Sequence, residues 1–219
     1  MAIASTHARR TVLFDFDGVL VRGDAFGHFL RERIRASRWR QALALIVAPI
    51  GLPLLRTRRG VSIAMQLFSW IARVGTDPVI YTQHLRDFAQ RLSQDPAREI
   101  IEGIEALKCA YAAGDRVIVV SGNIDTLVRD VLNNHGLAEI EVVASKLTPV
   151  PRHCIGHTKL TALAQIGVVP PWDVAYSDSL FDLPMLRHAR HPVIVNAAPR
   201  LHRKIARQLG REPVFVNWH

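Results

Sequence analysis

Two aspartates, Asp15 and Asp17, follow directly on the apolar run Thr11–Phe14 and are closed by Gly18. Residues i and i+2 of a strand point to one face, so both carboxylates can converge at a strand's end while Phe14 and Phe16 pack away. Paired carboxylates repel each other. They persist where a cation or a proton sits with them, and Mg²⁺, which takes hard oxygen ligands and keeps positions open for phosphate, suits such a pair. Asp and Gly also serve in ordinary polar turns, so the pair alone leaves both readings open.

Three further signals follow in order. Arg116–Val120 reads as a buried strand of the kind found in parallel sheets, and it runs into Ser121-Gly122-Asn123, where a hydroxyl and free backbone N–H groups can hold a phosphate oxygen. Lys159 lies near the start of a helix expected over residues 158–166 and offers one cation to a bound phosphate. A third apolar run, Trp172–Tyr176, ends in Ser177-Asp178-Ser179-Leu180-Phe181-Asp182, a second acidic strand exit. In an open parallel sheet, ligands bind outside the carboxyl ends of the strands, so these loops are expected to open on one crevice.

In kind and order these four signals resemble the haloacid dehalogenase superfamily of phosphatases across nearly the whole chain. The resemblance implies that Asp15 is the nucleophile that becomes an aspartyl-phosphate, and that Asp17 protonates the leaving alkoxide and then activates water. It implies a Mg²⁺ site formed by the carboxylates of Asp15 and Asp178 and the backbone carbonyl of Asp17, with Asp182 ordering those ligands. Ser121, Gly122 and Lys159 would hold the phosphoryl oxygens. Two positions depart from the family pattern. Val19 stands where a Thr is usual, which removes a hydroxyl near Asp17, and Phe181 stands where phosphoserine phosphatases carry a polar Asn.

Those elements need a scaffold, and 219 residues with 49% hydrophobic content can build it. The expected fold is α/β, a Rossmann-like parallel sheet core. The stretch between Asp17 and the second strand is far longer than a simple crossover, so an inserted helical cap is expected over 25–99, with the core formed by 1–24 and 100–219. That insertion point matches the phosphoserine-phosphatase-like branch. Cys109 and Cys154 stand apart without metal-ligand spacing and read as reduced thiols. The N-terminus carries no signal-peptide pattern, which implies a cytoplasmic active site.

Charge is concentrated in the cap. Residues 31–59 hold eight arginines against one acid, Glu32, and supply +7 of the formal +9. Between the basic clusters, Ala42–Leu55 carries no charge. One account is a buried cap helix broken by Pro49. The other is an apolar hairpin with basic flanks (Arg38, Arg40, Arg56, Arg58 and Arg59) that lies in or on an anionic membrane, peripheral or re-entrant at the cytoplasmic face of the inner membrane. With Arg22–Leu30, Cys154–Lys159 and Tyr176–Ser179, this pattern resembles the phosphatidylglycerophosphatase C group, which removes a terminal phosphate from a phospholipid precursor.

Asp24 stands where phosphoserine phosphatases place a Glu on the substrate amine, and it serves equally well as a helix N-cap. Asn123 is a second candidate substrate contact. The expected activity is thus a Mg²⁺-dependent phosphomonoesterase acting on a membrane lipid phosphate, with a soluble phosphoserine-type phosphatase in the cytoplasm as the alternative. A nucleic-acid-binding module would account for the charge but not for the acidic exits, and no aromatic stacking motif supports it. A non-catalytic regulator is disfavoured because no catalytic position is lost.

Overall fold

The computed structural model describes residues 9–54, 58–146 and 154–218. Six strands form one parallel sheet: β1 (Thr11–Phe14), β2 (Arg116–Ile124), β3 (Glu141–Ser145), β4 (Trp172–Ser177), β5 (Ala189–Val195) and β6 (Val214–Val216). Their spatial order is β3-β2-β1-β4-β5-β6. β1 sits at the centre, with Leu13 level with Ile118 of β2 on one side and Ala175 of β4 on the other. The chain order turns outward in both directions from β1, so the ends of β1, β2 and β4 frame the crevice where ligands bind in such sheets.

Burial on both faces explains the near-continuous apolar strands. Phe14 and Phe16 are fully buried on one side of the sheet, and Leu13, Ile118 and Val120 on the other. An aromatic stack, Phe14 on Tyr176 at 4.4 Å and Tyr176 on Trp218 at 5.6 Å, binds the central strands to the C-terminal segment. Helices α5 (Ile101–Ala112), α6 (Asp125–Asn134), α7 (His157–Gln165), α8 (Leu183–Arg187) and α9 (Pro199–Leu209) accompany the sheet. Helix α5 comes very close to the loop after β1. A Cβ on Gly103 would fall 2.0 Å from the Val19 carbonyl oxygen, so only glycine fits.

Among the described residues, four helices lie between β1 and α5: α1 (Ala25–Arg35), α2 (Arg38–Leu54), α3 (Arg58–Arg73) and α4 (Pro78–Leu92). Asp24 caps α1 by accepting from the Gly27 N–H at 2.8 Å, and Asp77 caps α4 in the same way through Val79 and Ile80. Phe26, Phe29, Tyr81, Leu85 and Phe88 join α1 and α4 to the main core.

The uncharged run departs from the buried, Pro49-broken helix expected of it. Pro49 does not break the helix: α2 continues through Pro49 and Pro53 to Leu54. Each ring leaves one carbonyl a turn earlier without its helical N–H, which a helix exposed along one side tolerates. Nor is the run buried on all sides, since Leu45 and Ile46 are 74% and 73% exposed. Gly51 is buried where α2 meets Phe68 of α3. Arg40 does not flank the run outwardly; it turns inward, donating to the Val74 carbonyl and to Thr76 Oγ1. Leu55 and Arg56 lie outside the described residues. Among the described residues, no helix is long and apolar enough to cross a membrane.

Candidate active site

The site is assembled from three strand exits. β1 delivers Asp15, whose N–H donates to the Tyr176 carbonyl of β4 at 2.9 Å and so ties the two exits together. The loop then turns through Gly18 at φ +76°, where a Cβ would fall 2.0 Å from Asp178 Oδ2. Both the turn and the approach of Asp178 therefore require glycine. This contact brings the acidic residue of β4 against the acidic loop of β1.

Lys159, from the first turn of α7, is the hub. Its Nζ donates to Asp15 Oδ1 at 2.9 Å and to Asp182 Oδ2 at 2.7 Å, and all three residues are almost fully buried. Ser177 Oγ donates to the same Asp182 oxygen at 2.8 Å. Asp15 Oδ1 also accepts from the Phe16 N–H at 2.9 Å. Asp17 is held by the Ala25 N–H at 3.0 Å and by Asn123 Nδ2, at 3.2 and 3.1 Å to its two oxygens. These donors position Asp17 without the hydroxyl that Val19 lacks; Val19 is fully buried in the core instead.

These carboxyls are arranged to hold protons or a cation. Burial raises Asp15 well above the usual carboxylate range, with Lys159 pulling the other way and Asp182 adding to the rise. Burial pushes Asp17 up to about 7, opposed by the Ala25 and Asn123 donors. Asp178, exposed at the cavity mouth, is pushed up to about 6 by the surrounding protein and by Asp182, against Lys159. Burial disfavours the Lys159 ammonium, yet Asp15 and Asp182 outweigh it and hold the lysine above its ordinary value.

An Asp17 titrating near 7 in the folded chain and near ~3.9 in the unfolded one costs stability at high pH, and that cost fades as pH falls through about 7. In chelator, Asp17→Asn removes that charge. Its unfolding temperature relative to wild type should therefore be higher at pH 8 than at pH 5, and a difference independent of pH would contradict the shift.

The exits and the inserted helices enclose a cavity of about 470 Å³ lined by Asp15, Asp17, Asp24, Gly122, Asn123, Lys159, Asp178 and Asp182. Apolar side chains complete it: Phe26 and Met65 from the inserted helices, and Ile124, Ile155 and Phe181 from the core. Eight of the sequence candidates thus meet in one place. Ser121 does not reach that wall. It is fully buried, and its Oγ accepts from the Asn123 N–H at 3.0 Å, fixing the loop after β2 from behind. Asn123 spends its amide on Asp17 and its Oδ1 on the Ile124 N–H, so it orients the carboxyl. Asp24 both caps α1 and lines the cavity.

Sequence reasoning passed over Ser145, which ends β3 and fixes the Gly122 carbonyl through its Oγ at 2.7 Å. The strand-exit argument applied to Glu141–Ser145 would have found it. Cys154 is buried beneath the site, and burial pushes its thiol up to about 12; Cys109 is exposed, and both are free.

The donor set fits a small hard cation. Asp15 and Asp178 offer carboxylate oxygens and Asp17 a carbonyl, all oxygen, with Asp182 held behind them by Lys159 and Ser177. Mg²⁺ fits such a set, because it takes one or two carboxylates from protein and keeps waters and phosphate oxygens in its shell.

Comparison with known proteins agrees with this fold. A protein of unknown function from Bordetella pertussis Tohama I superposes with a TM-score of 0.72 at 20% identity, over 94% of this chain and 98% of that one. A phosphoserine phosphatase in apo form matches at 0.60 and 19%, over 90% of each chain. A phospho-aspartyl intermediate analogue of phosphoserine phosphatase matches at 0.51 and 18%, over 95% and 93%. At these identities the likeness is one of fold. The family model for haloacid dehalogenase-like hydrolases, by contrast, aligns directly with residues 12–187, a span that contains every acidic exit described above, and the chain belongs to that family.

Proposed function

We propose that the protein is a Mg²⁺-dependent phosphomonoesterase working through an aspartyl-phosphate at Asp15. The observation that carries this reading is the meeting of Asp15, Asp17, Lys159 and Asp178 at one cavity. Asp15 attacks phosphorus, and the P–O bond to the leaving alkoxide breaks as that oxygen takes the Asp17 proton. Asp17, then ionised, accepts a proton from water as the water attacks the acyl phosphate, which frees phosphate and restores Asp15. A pKa near 7 suits a group that gives and takes a proton in one cycle. Lys159 neutralises charge on the phosphoryl oxygens, and the Gly122 backbone borders them. When bound, Mg²⁺ supplies further charge neutralisation between the carboxylates and the phosphate.

The substrate we propose is a membrane phospholipid phosphate of the phosphatidylglycerophosphate type, as in the phosphatidylglycerophosphatase C group. Residues 25–99 would act as the cap and seat the protein on the anionic cytoplasmic face of the inner membrane. Helices α2 and α3 leave Trp39, Leu45 and Ile46 exposed within the most basic part of the chain and Ile63 and Trp70 exposed just after it, and Phe181 puts an apolar ring at the cavity where a polar group is usual.

The test is turnover of phosphatidylglycerophosphate in mixed micelles against phosphoserine, each with Mg²⁺ and with chelator. The lipid should be the better substrate by tenfold or more, and chelator should abolish its hydrolysis. Preference for phosphoserine would replace the lipid reading with the soluble one, and full turnover in chelator would remove the metal.

A further inference from the structure

A second cavity, about 840 Å³, adjoins the first and shares Ile124 and Ser145 with it. Its wall comes from α3, α4 and the turn between them on one side, and from the start of α6 and the exit of β3 on the other. None of the proposed chemistry uses it. Two hydroxyls of lining residues, on Ser69 and Tyr81, are buried and have no hydrogen-bond partner among the described residues. A buried hydroxyl left unpaired costs free energy, and such groups call for a ligand or water to complete them. Burial pushes Tyr81 up to about 12, so its hydroxyl stays a donor at every working pH.

The charge around this space is one-sided. Arg73 and Lys146 line it directly. Behind the lining residue Thr76, Arg33 and Arg40 both donate to its Oγ1, both are more than nine-tenths buried, and neither has a carboxylate partner among the described ion pairs. Burial lowers Arg33 from its ordinary value, and the charge of Arg40 lowers it further. Asp125 is the one acid on the described wall, and Arg129 neutralises it at 2.9 Å. The acids nearby, Glu32, which acts on Arg33, and Asp125, are paired with Arg91 and Arg129, and desolvated cations that outnumber such acids are stabilised when an anion arrives among them.

We infer that this cavity binds a second, non-reacting phosphate-type anion of the same substrate molecule whose monoester is cleaved at Asp15. The inference rests on the phosphatase reading of the first site. Adjacency lets one molecule enter both cavities, and binding energy from the remote anion then serves the reacting end. Trp70, half exposed, lines this cavity and belongs to the apolar surface of α3, so the remainder of the substrate leaves beside an indole. The chemistry is that of a monoester joined to a phosphodiester, which a lipid headgroup and a soluble ester share.

The experiment compares kcat/KM for glycerol 3-phosphate, which has the monoester alone, with that for glycerophosphoglycerol phosphate, which carries both groups and no acyl chain. Wild type should favour the second by tenfold or more. Arg73→Gln should bring that ratio close to one, and Tyr81→Phe, which keeps the ring in the core, should lower it severalfold, chiefly through KM. A wild-type ratio of one, or a ratio unchanged in both variants, overturns the inference. Calorimetric binding of the same two compounds to Asp15→Asn reads the second cavity without turnover. Absence of hydrolysis therefore counts against the phosphatase reading, whereas equal binding of the two compounds counts against this one. The dioctanoyl form identifies the source: a further gain assigns the anion to a lipid and parity assigns it to a soluble ester, and either outcome supports the second-anion site.

Discussion

Asp15→Asn should fold, keep its contact with Lys159 and lose turnover by at least about a hundredfold, ~2.7 kcal/mol of barrier. An amide oxygen can still accept from Lys159 Nζ and from the Phe16 N–H, the two donors on Asp15 Oδ1. It cannot form an acyl phosphate. Retention of more than about a hundredth of the wild-type rate would take the nucleophile's role from Asp15. Borohydride added to acid-quenched wild type during turnover gives an independent readout, since reduction of an aspartyl-phosphate marks residue 15 as homoserine.

Lys159→Met should give the largest loss of stability. Lys159 is the cation bound to both Asp15 and Asp182, and removing one partner of a buried ion pair typically costs about 3–5 kcal/mol. Lys159 now holds the Asp15 value down, so its removal raises that value further. A raised folded value costs stability above it and returns that stability as the pH falls through it. Denaturant unfolding in chelator should thus show the full deficit at pH 8 and a smaller one at pH 5. A deficit below about 1 kcal/mol, the scale of an exposed pair, would mean that the lysine is not what neutralises the cluster.

The parts legible in the sequence are those set by local pattern. An apolar strand that runs into an acid fixes its own exit, which is why Asp15, Asp17, Asp178 and Lys159 were found together with β1, β2 and β4. Strand β5 was not, because Arg190, His191 and Pro192 interrupt its apolar run, and β6 has only three residues. The placement of Ser121 behind the wall and the bond from Asn123 to Asp17 depend on how β2 continues through residue 124, which tertiary pairing decides. Arg40 looked like a flanking surface charge because the Val74 carbonyl and Thr76 hydroxyl that hold it lie a whole helix away. Pro49 was read as a breaker because propensity sees the lost hydrogen bond and not the packing of α2 on α3.

The central place of β1 also governs assembly. Thr11 pairs with Arg116 and Val12 with Val174, so β1 lacks both of its sheet neighbours until β2 has emerged and is enclosed only after β4. Helices α1–α4 are synthesised in between, and their turns close locally while the middle of the sheet still waits for distant segments. Contacts of such long sequence separation form slowly. In a refolding experiment, helical signal should therefore return ahead of hydrolysis, because the strand that leads into Asp15 is secured only by segments far along the chain.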